Sequence, residues 1–190
     1  MLGKFGLGFL GIAESAGVDE AGIRKEIQSD IDGLIHDLDI SGGLRMKMKS
    51  LHPKRVIVAK DGFKEQNIHN AIVLVEGNVR TGLIQNSIVI VIGELVANDI
   101  RGSVVATLGD IHAYHAGGRD QESLVMSRGQ IDITAAYATT IVAEQGATIQ
   151  SPTHLVAINT KVRSPHPTRI KYEFVRSNVL HGISGLLGAR

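Results

Sequence analysis

The sequence predicts a mostly β fold, a parallel β-helix of about six short rungs. Three observations carry that expectation. Five glycines, Gly77, Gly93, Gly109, Gly129 and Gly146, recur at steps of 16, 16, 20 and 17 residues. Each follows a short apolar run rich in β-branched residues, which suits strands. Aromatic residues make up only 4% of the chain and tryptophan is absent, so the core is built from Ile, Val, Leu and Ala. That composition fits thin stacked strands better than a bulky globular core. The period favours a right-handed coil.

The copies read Asn70-Ala-Ile-Val-Leu-Val-Glu-Gly77, Asn86-Ser-Ile-Val-Ile-Val-Ile-Gly93 and Gly102-Ser-Val-Val-Ala-Thr-Leu-Gly109. Glu122-Ser-Leu-Val-Met-Ser-Arg-Gly129 and Thr139-Thr-Ile-Val-Ala-Glu-Gln-Gly146 follow. Arg55-Val-Ile-Val-Ala-Lys-Asp-Gly62 reads as an incomplete first copy, and Leu155-Val-Ala-Ile-Asn-Thr-Lys-Val162 as a half-copy without its glycine.

Five segments follow in chain order. Residues 1–14 are apolar and interrupted by Gly3, Gly6, Gly8 and Gly11. They read as an ordinary packed terminus, as a peptide for peripheral membrane or partner contact through residues 1–13, or as a cleaved signal peptide. Residues 15–43 hold an amphipathic helix over 15–39, with Ile23, Ile27, Ile31, Leu34, Ile35 and Leu38 at steps of three and four. Ser41-Gly42-Gly43 ends it. Residues 44–54 form a basic connector, residues 55–163 the repeat domain, and residues 164–190 a closing strand and tail. Arg169 to Val175 alternates polar and apolar residues and supplies that strand.

Aligning the copies on their glycines sorts positions into faces. The columns Ile72, Ile88, Val104, Leu124, Ile141 and Leu74, Ile90, Ala106, Met126, Ala143 are expected to point into the coil. After the glycine, Val79, Leu95, Ile111, Ile131 and then Thr148 or Ile149 join them. Ala71, Ser87, Ser103, Ser123 and Thr140 suit a tight corner, and the glycines mark a second corner. Val73, Val89, Val105, Val125 and Val142 fall between inward columns and are expected to form an outward apolar stripe. A stripe of that kind needs a cover. The helix face of Ile23, Ile27, Ile31, Leu34 and Leu38 is the first candidate, and a protomer contact is the second.

The stacked copies across residues 55–163 resemble parallel β-helix repeat proteins, and among these the bactofilins are closest in plan. The resemblance implies a core of short rungs, flanking terminal segments and, in some members, an apolar membrane-targeting N-terminus. It also implies cytoskeletal polymers formed by end-to-end stacking without nucleotide. The long N-terminal helix and the closing strand depart from that plan, since a cap at one end opposes polymerisation there. The steps between glycines do not keep the turns of 18 that a left-handed hexapeptide β-helix requires.

Composition narrows the chemistry. The 190 residues carry 20 basic and 19 acidic side chains, a net charge of +1, which gives no electrostatic case for nucleic acid. Cysteine is absent, which excludes disulfides, thiolate catalysis and Cys-ligated zinc. No stretch reaches the roughly 18–20 apolar residues that span a bilayer. The chain is expected in the cytoplasm or at a membrane, with export as an alternative. No nucleophile elbow, phosphate-binding loop or paired-carboxylate motif is present, so neither catalysis nor a cofactor is expected. The irregular stretch Asp110 to Asp120 reads as a tolerated bulge. Its alternative is a metal or ligand site of Asp110, His112 and His115. The expected function is a non-enzymatic scaffold that associates with itself as a homo-oligomer or polymer. Two alternatives remain: a binding module presenting the 110–120 loop, and an exported or surface β-helix.

Overall fold

The computed structural model describes residues 20–37 and 51–174, and the side chains of Ile31 and of residues 34–37 fall outside that description. The readings of residues 1–14, of Leu38, of most of the connector and of the tail after 174 lie outside the described residues. Helix α1 spans Glu20–Asp37. Fifteen strands follow: β1 (Arg55–Ala59), β2 (Phe63–His69), β3 (Ala71–Glu76), β4 (Val79–Gln85), β5 (Ile88–Ile92), β6 (Leu95–Arg101), β7 (Val104–Thr107), β8 (Ile111–Gly117), β9 (Ser123–Ser127), β10 (Ile131–Tyr137), β11 (Thr139–Ala143), β12 (Ala147–Thr153), β13 (Leu155–Ile158), β14 (Val162–Arg163) and β15 (Ile170–Glu173). The odd strands form one eight-stranded sheet, sheet A, and the even strands one seven-stranded sheet, sheet B. Every pairing is parallel and each strand lies beside the strand two places on. The chain is therefore a β-solenoid of about seven turns. The first copy, Arg55 to His69, is a complete turn.

Most turns take 16 residues, and the last takes 15, with Ala157 over Tyr172 and Ala147 over Val162. Val73 lies over Val89, Val89 over Val105, Val125 over Ile141 and Ile141 over Ala157. The 20-residue step is confined to one turn, where Val105 lies over Val125. The glycine step of 17 is not a turn length. The linkers from Ser127 to Ile131 and from Ala143 to Ala147 are equally long, and Gly146 stands one position later in its linker than Gly129 does.

The interior lies between the two sheets. Val73, Val89, Val105, Val125 and Ile141 of sheet A pack there with Val79, Leu95, Ile111, Ile131 and Ala147 of sheet B. This reverses the expected parity. Val73, Val89, Val105 and Val125 are fully buried inside the coil, not on an outer stripe. The outer face of sheet A carries Ile72, Leu74, Ile88, Ile90, Val104, Ala106, Leu124 and Met126 instead. Val142 does face outward, because the last copy is displaced by one residue relative to the glycine alignment, and Ile141 and Ala143 face inward. A one-residue slip turns every side chain to the other face.

Helix α1 covers a portion of that outer face. Ile23 and Ile27 are buried in the same apolar cluster, with Leu51 beside them. Arg24 donates to the carbonyls of Pro53 and, at 2.6 Å, Lys54, tying the helix to the chain that enters β1. The helix is thus an intramolecular cover, resting on the Ile and Leu columns rather than on the valines.

Three bends close each turn. At the first, a hydroxyl ladder runs along the axis: Ser87 Oγ accepts from Ala71 N at 3.1 Å, and Ser103 Oγ from Ser87 N at 3.1 Å. The residues just before it are left-handed, with φ of +48° at Asn70, +49° at Asn86, +53° at Gly102, +47° at Ala138 and +52° at His154. The second bend is the glycine corner, where turns approach closely. A Cβ on Gly109 would sit 2.6 Å from Gly93 O. The third, not expected from sequence, lies inside the even strands. Tyr114 and His115 are adjacent and both exposed, which breaks the alternation and folds β8 into two flats.

The closing strand β15 runs parallel to β13 and extends sheet A, so it does not turn back across the stack. Tyr172 continues the inward column beyond Ala157, and its hydroxyl lies 3.4 Å from Val162 O of sheet B. The ring spans the mouth of the coil. At the other end Phe63 begins an inward column of sheet B and is half-buried.

Candidate functional site

The stretch from Asp110 to Asp120 divides into segments with different roles. Ile111–Gly117 is a regular strand, β8, in register with both neighbours. The four extra residues lie after it, in the corner loop 118–122, where Gln121 N donates to Gly118 O at 3.1 Å. The irregularity is therefore shorter and later than the sequence suggests.

The structure does not bring Asp110, His112 and His115 together. Asp110 stands in the glycine corner, and its Oδ1 accepts from Gln130 N of the next turn at 2.7 Å. Asn78 has the same role at an earlier corner, accepting from Glu94 N at 3.0 Å. Asp110 is a turn brace. His112 Nδ1 lies 3.4 Å from Asp132 Oδ2 on the following turn, and His115 Nδ1 lies 3.4 Å from Asp99 Oδ1 on the preceding turn. The third bend separates the two imidazoles onto different flats. Both histidines are exposed and their carboxylate partners partly so, a setting in which an ion pair contributes little. Among the described residues no group of three or more His, Asp or Glu is placed to hold a metal ion.

Two concave features adjoin β8. The loop 118–122 overhangs a cleft of about 480 Å³ bordered by Arg119, Glu122, Tyr137 and His154. The Tyr137 and His154 rings meet edge to face, with centroids 5.5 Å apart. Glu122 Oε2 is buried there without a hydrogen-bond partner among the described residues, and burial raises the carboxyl above its ordinary pKa. Sequence reasoning missed this cleft because its members come from three separate turns. The spacing from Tyr137 to His154 is meaningful only once the turn length of 16 is known.

The second feature is a shallow groove of about 390 Å³ on the outer face of sheet B. One rail is Val96, His112, Asp132 and Thr148, in register on β6, β8, β10 and β12. The other is Asn98, Tyr114, Thr134 and Gln150, two residues on in each strand. The chain matches no family model, no curated protein and no solved structure.

Proposed function

We propose that this chain is a non-enzymatic scaffold whose β-solenoid associates with further copies of itself. The observation that carries this reading is the state of the two ends. β1 and β2 at one end, and β14 and β15 at the other, pair along one edge only among the described residues. Unpaired strand edges invite further pairing. The inward residues at those ends are also incompletely covered: Ile57, Ala59 and Phe63 are half-buried at the first end, and Val162 at the second. Tyr172 and Phe174 stand exposed beside β14 and β15, Phe174 at 86%. A parallel edge is a template for continuing the same ladder. The likeness in plan to bactofilins, which polymerise end to end, points the same way.

The test is the assembly state of the purified full chain, by light scattering and negative-stain electron microscopy over a range of concentrations. Oligomers or filaments are expected, and Phe174→Asp should shorten or dissolve them while leaving the circular dichroism spectrum unchanged. A strictly monomeric parent protein at high concentration overturns the reading.

A further inference from the structure

The geometry points to a glycan-binding function for the groove on the outer face of sheet B, with an extended, neutral β-1,4-linked chain as its ligand class. This goes beyond self-association and rests on a different surface, so the fate of one reading does not decide the other.

The shape comes first. The groove crosses β6, β8, β10 and β12 along the solenoid axis, and three strand spacings make it about 14 Å long. Its floor is the backbone of Ala97, Ala113 and Ile133, whose side chains are buried inward. A straight trough with a flat floor takes a ribbon-like chain. It does not enclose a compact apolar molecule, which prefers a deep pocket.

The chemistry comes second. Asn98, Tyr114, Thr134 and Gln150 form one rail, and all four are exposed. Their amide and hydroxyl groups face solvent and are open to a ligand. Groups that both donate and accept suit sugar hydroxyls, which also do both. Opposite them, Asp132 adds a carboxylate acceptor, held from one side by His112 and approached by Gln130 Nε2 at 3.5 Å.

The aromatic platform comes third. Tyr114 is 59% exposed and presents its ring at the groove. Its ring is braced edge to face by His115, with centroids 4.5 Å apart and planes at 75°. A fixed, exposed ring beside hydrogen-bonding groups offers a flat apolar face to the axial C–H bonds of a pyranose. It loses little side-chain freedom on binding.

Charge selects among polar chains. Lys64, Arg80 and Arg163 share the first rail's column but lie on β2, β4 and β14, outside the groove. Within it the Asp132 carboxylate disfavours phosphate or sulfate at the centre of the groove and favours a neutral chain there.

The experiment is isothermal titration calorimetry on the full chain with three hexasaccharides: β-1,4-linked glucose, β-1,4-linked N-acetylglucosamine and α-1,4-linked glucose. At least one β-linked ribbon is expected to bind at sub-millimolar concentration, and the coiled α-linked chain is not. Tyr114→Ala should weaken binding roughly tenfold, the loss of one stacked ring. Tyr114→Phe should retain most of it, and Asn98→Ala with Gln150→Ala should weaken it. Tyr172→Ala, far from the groove, should bind as the parent does. Absence of binding to both β-linked chains, equal binding of the α-linked chain, or an unchanged affinity in Tyr114→Ala each overturns the proposal.

Discussion

Ile141 of β11 lies over Val125 of β9, with Thr140 over Leu124 and Thr139 over Ser123. This register decides which face of sheet A is inside. It places Val125 among side chains of both sheets with no exposed surface. Truncating it to alanine leaves a cavity in a narrow core. Val125→Ala should therefore cost about 2 kcal/mol, and Val125→Lys should prevent folding. Denaturant titration checks both. A lysine tolerated at this position would return the valine column to the surface.

The hydroxyl ladder gives a second expectation. Ser103 Oγ accepts from the buried Ser87 N at 3.1 Å and donates to Arg101 O at 2.8 Å. Ser103→Ala removes the acceptor and leaves a buried amide without a partner. The expected loss is about 1–3 kcal/mol. Ser103→Thr keeps the hydroxyl and should recover much of it, so a comparison of the two melting curves separates hydrogen bonding from packing.

The solenoid was legible from the glycine period and the apolar runs, because both follow from stacking identical turns. The faces of sheet A were not. Sheet A is apolar on both sides, with α1 over part of the outer one, so Ile72 and Val73 carry no polarity difference to orient the strand. Size is a partial clue: the inner column is valine in four successive turns, while the outer columns are mostly Ile, Leu and Met. The displacement of Ile141 was hidden by the consecutive threonines Thr139 and Thr140, either of which fits the hydroxyl column. The third bend was hidden because it needs no glycine or proline. Of the candidate site, the exposure of His112 and Tyr114 could be read from their place on a strand. The cross-turn partners Asp99 and Asp132 could not, because they depend on the length of the intervening turns.

Close approach at the glycine corner sets a third expectation. A Cβ on Gly109 would meet the Gly93 carbonyl oxygen at 2.6 Å, and the obstacle is backbone that cannot swing aside. Gly109→Ala should cost about 1–3 kcal/mol. Gly118→Ala is the matched control, since its nearest neighbour is the Gln121 side chain at 3.5 Å. Similar losses in the two variants, measured by thermal unfolding, would count against the stacked corner.

Burial raises the Glu122 carboxyl above its ordinary value of 4.5. The folded chain therefore holds this proton to higher pH than the unfolded chain does. The associated stability is fully present below the unfolded value and is lost as pH rises through the folded one. At neutral pH the ionised group works against folding. Glu122→Gln should raise the melting temperature at pH 7, with the difference closing as the pH falls toward 4.5 and below. Parallel melting curves across that range would show that the carboxylate is not sensed.

The left-handed corner offers a stabilising substitution. Asn70, Asn86 and Gly102 are residue types that adopt positive φ readily, whereas Ala138 takes φ of +47° with neither a missing Cβ nor a side chain that bonds its own backbone. The left-handed conformation costs an ordinary L-residue roughly 1–2 kcal/mol. Asparagine recovers some of that cost without adding the backbone freedom that glycine brings to the unfolded chain. Ala138→Asn copies the residue found at the same corner in two earlier turns and should stabilise the chain by about 0.5–1 kcal/mol. Ala138→Val, which stiffens the side chain against this conformation, should destabilise it. Chemical denaturation of the two variants beside the parent gives the order Asn above Ala above Val. Any other order would mean that the corner at residue 138 is not left-handed in solution.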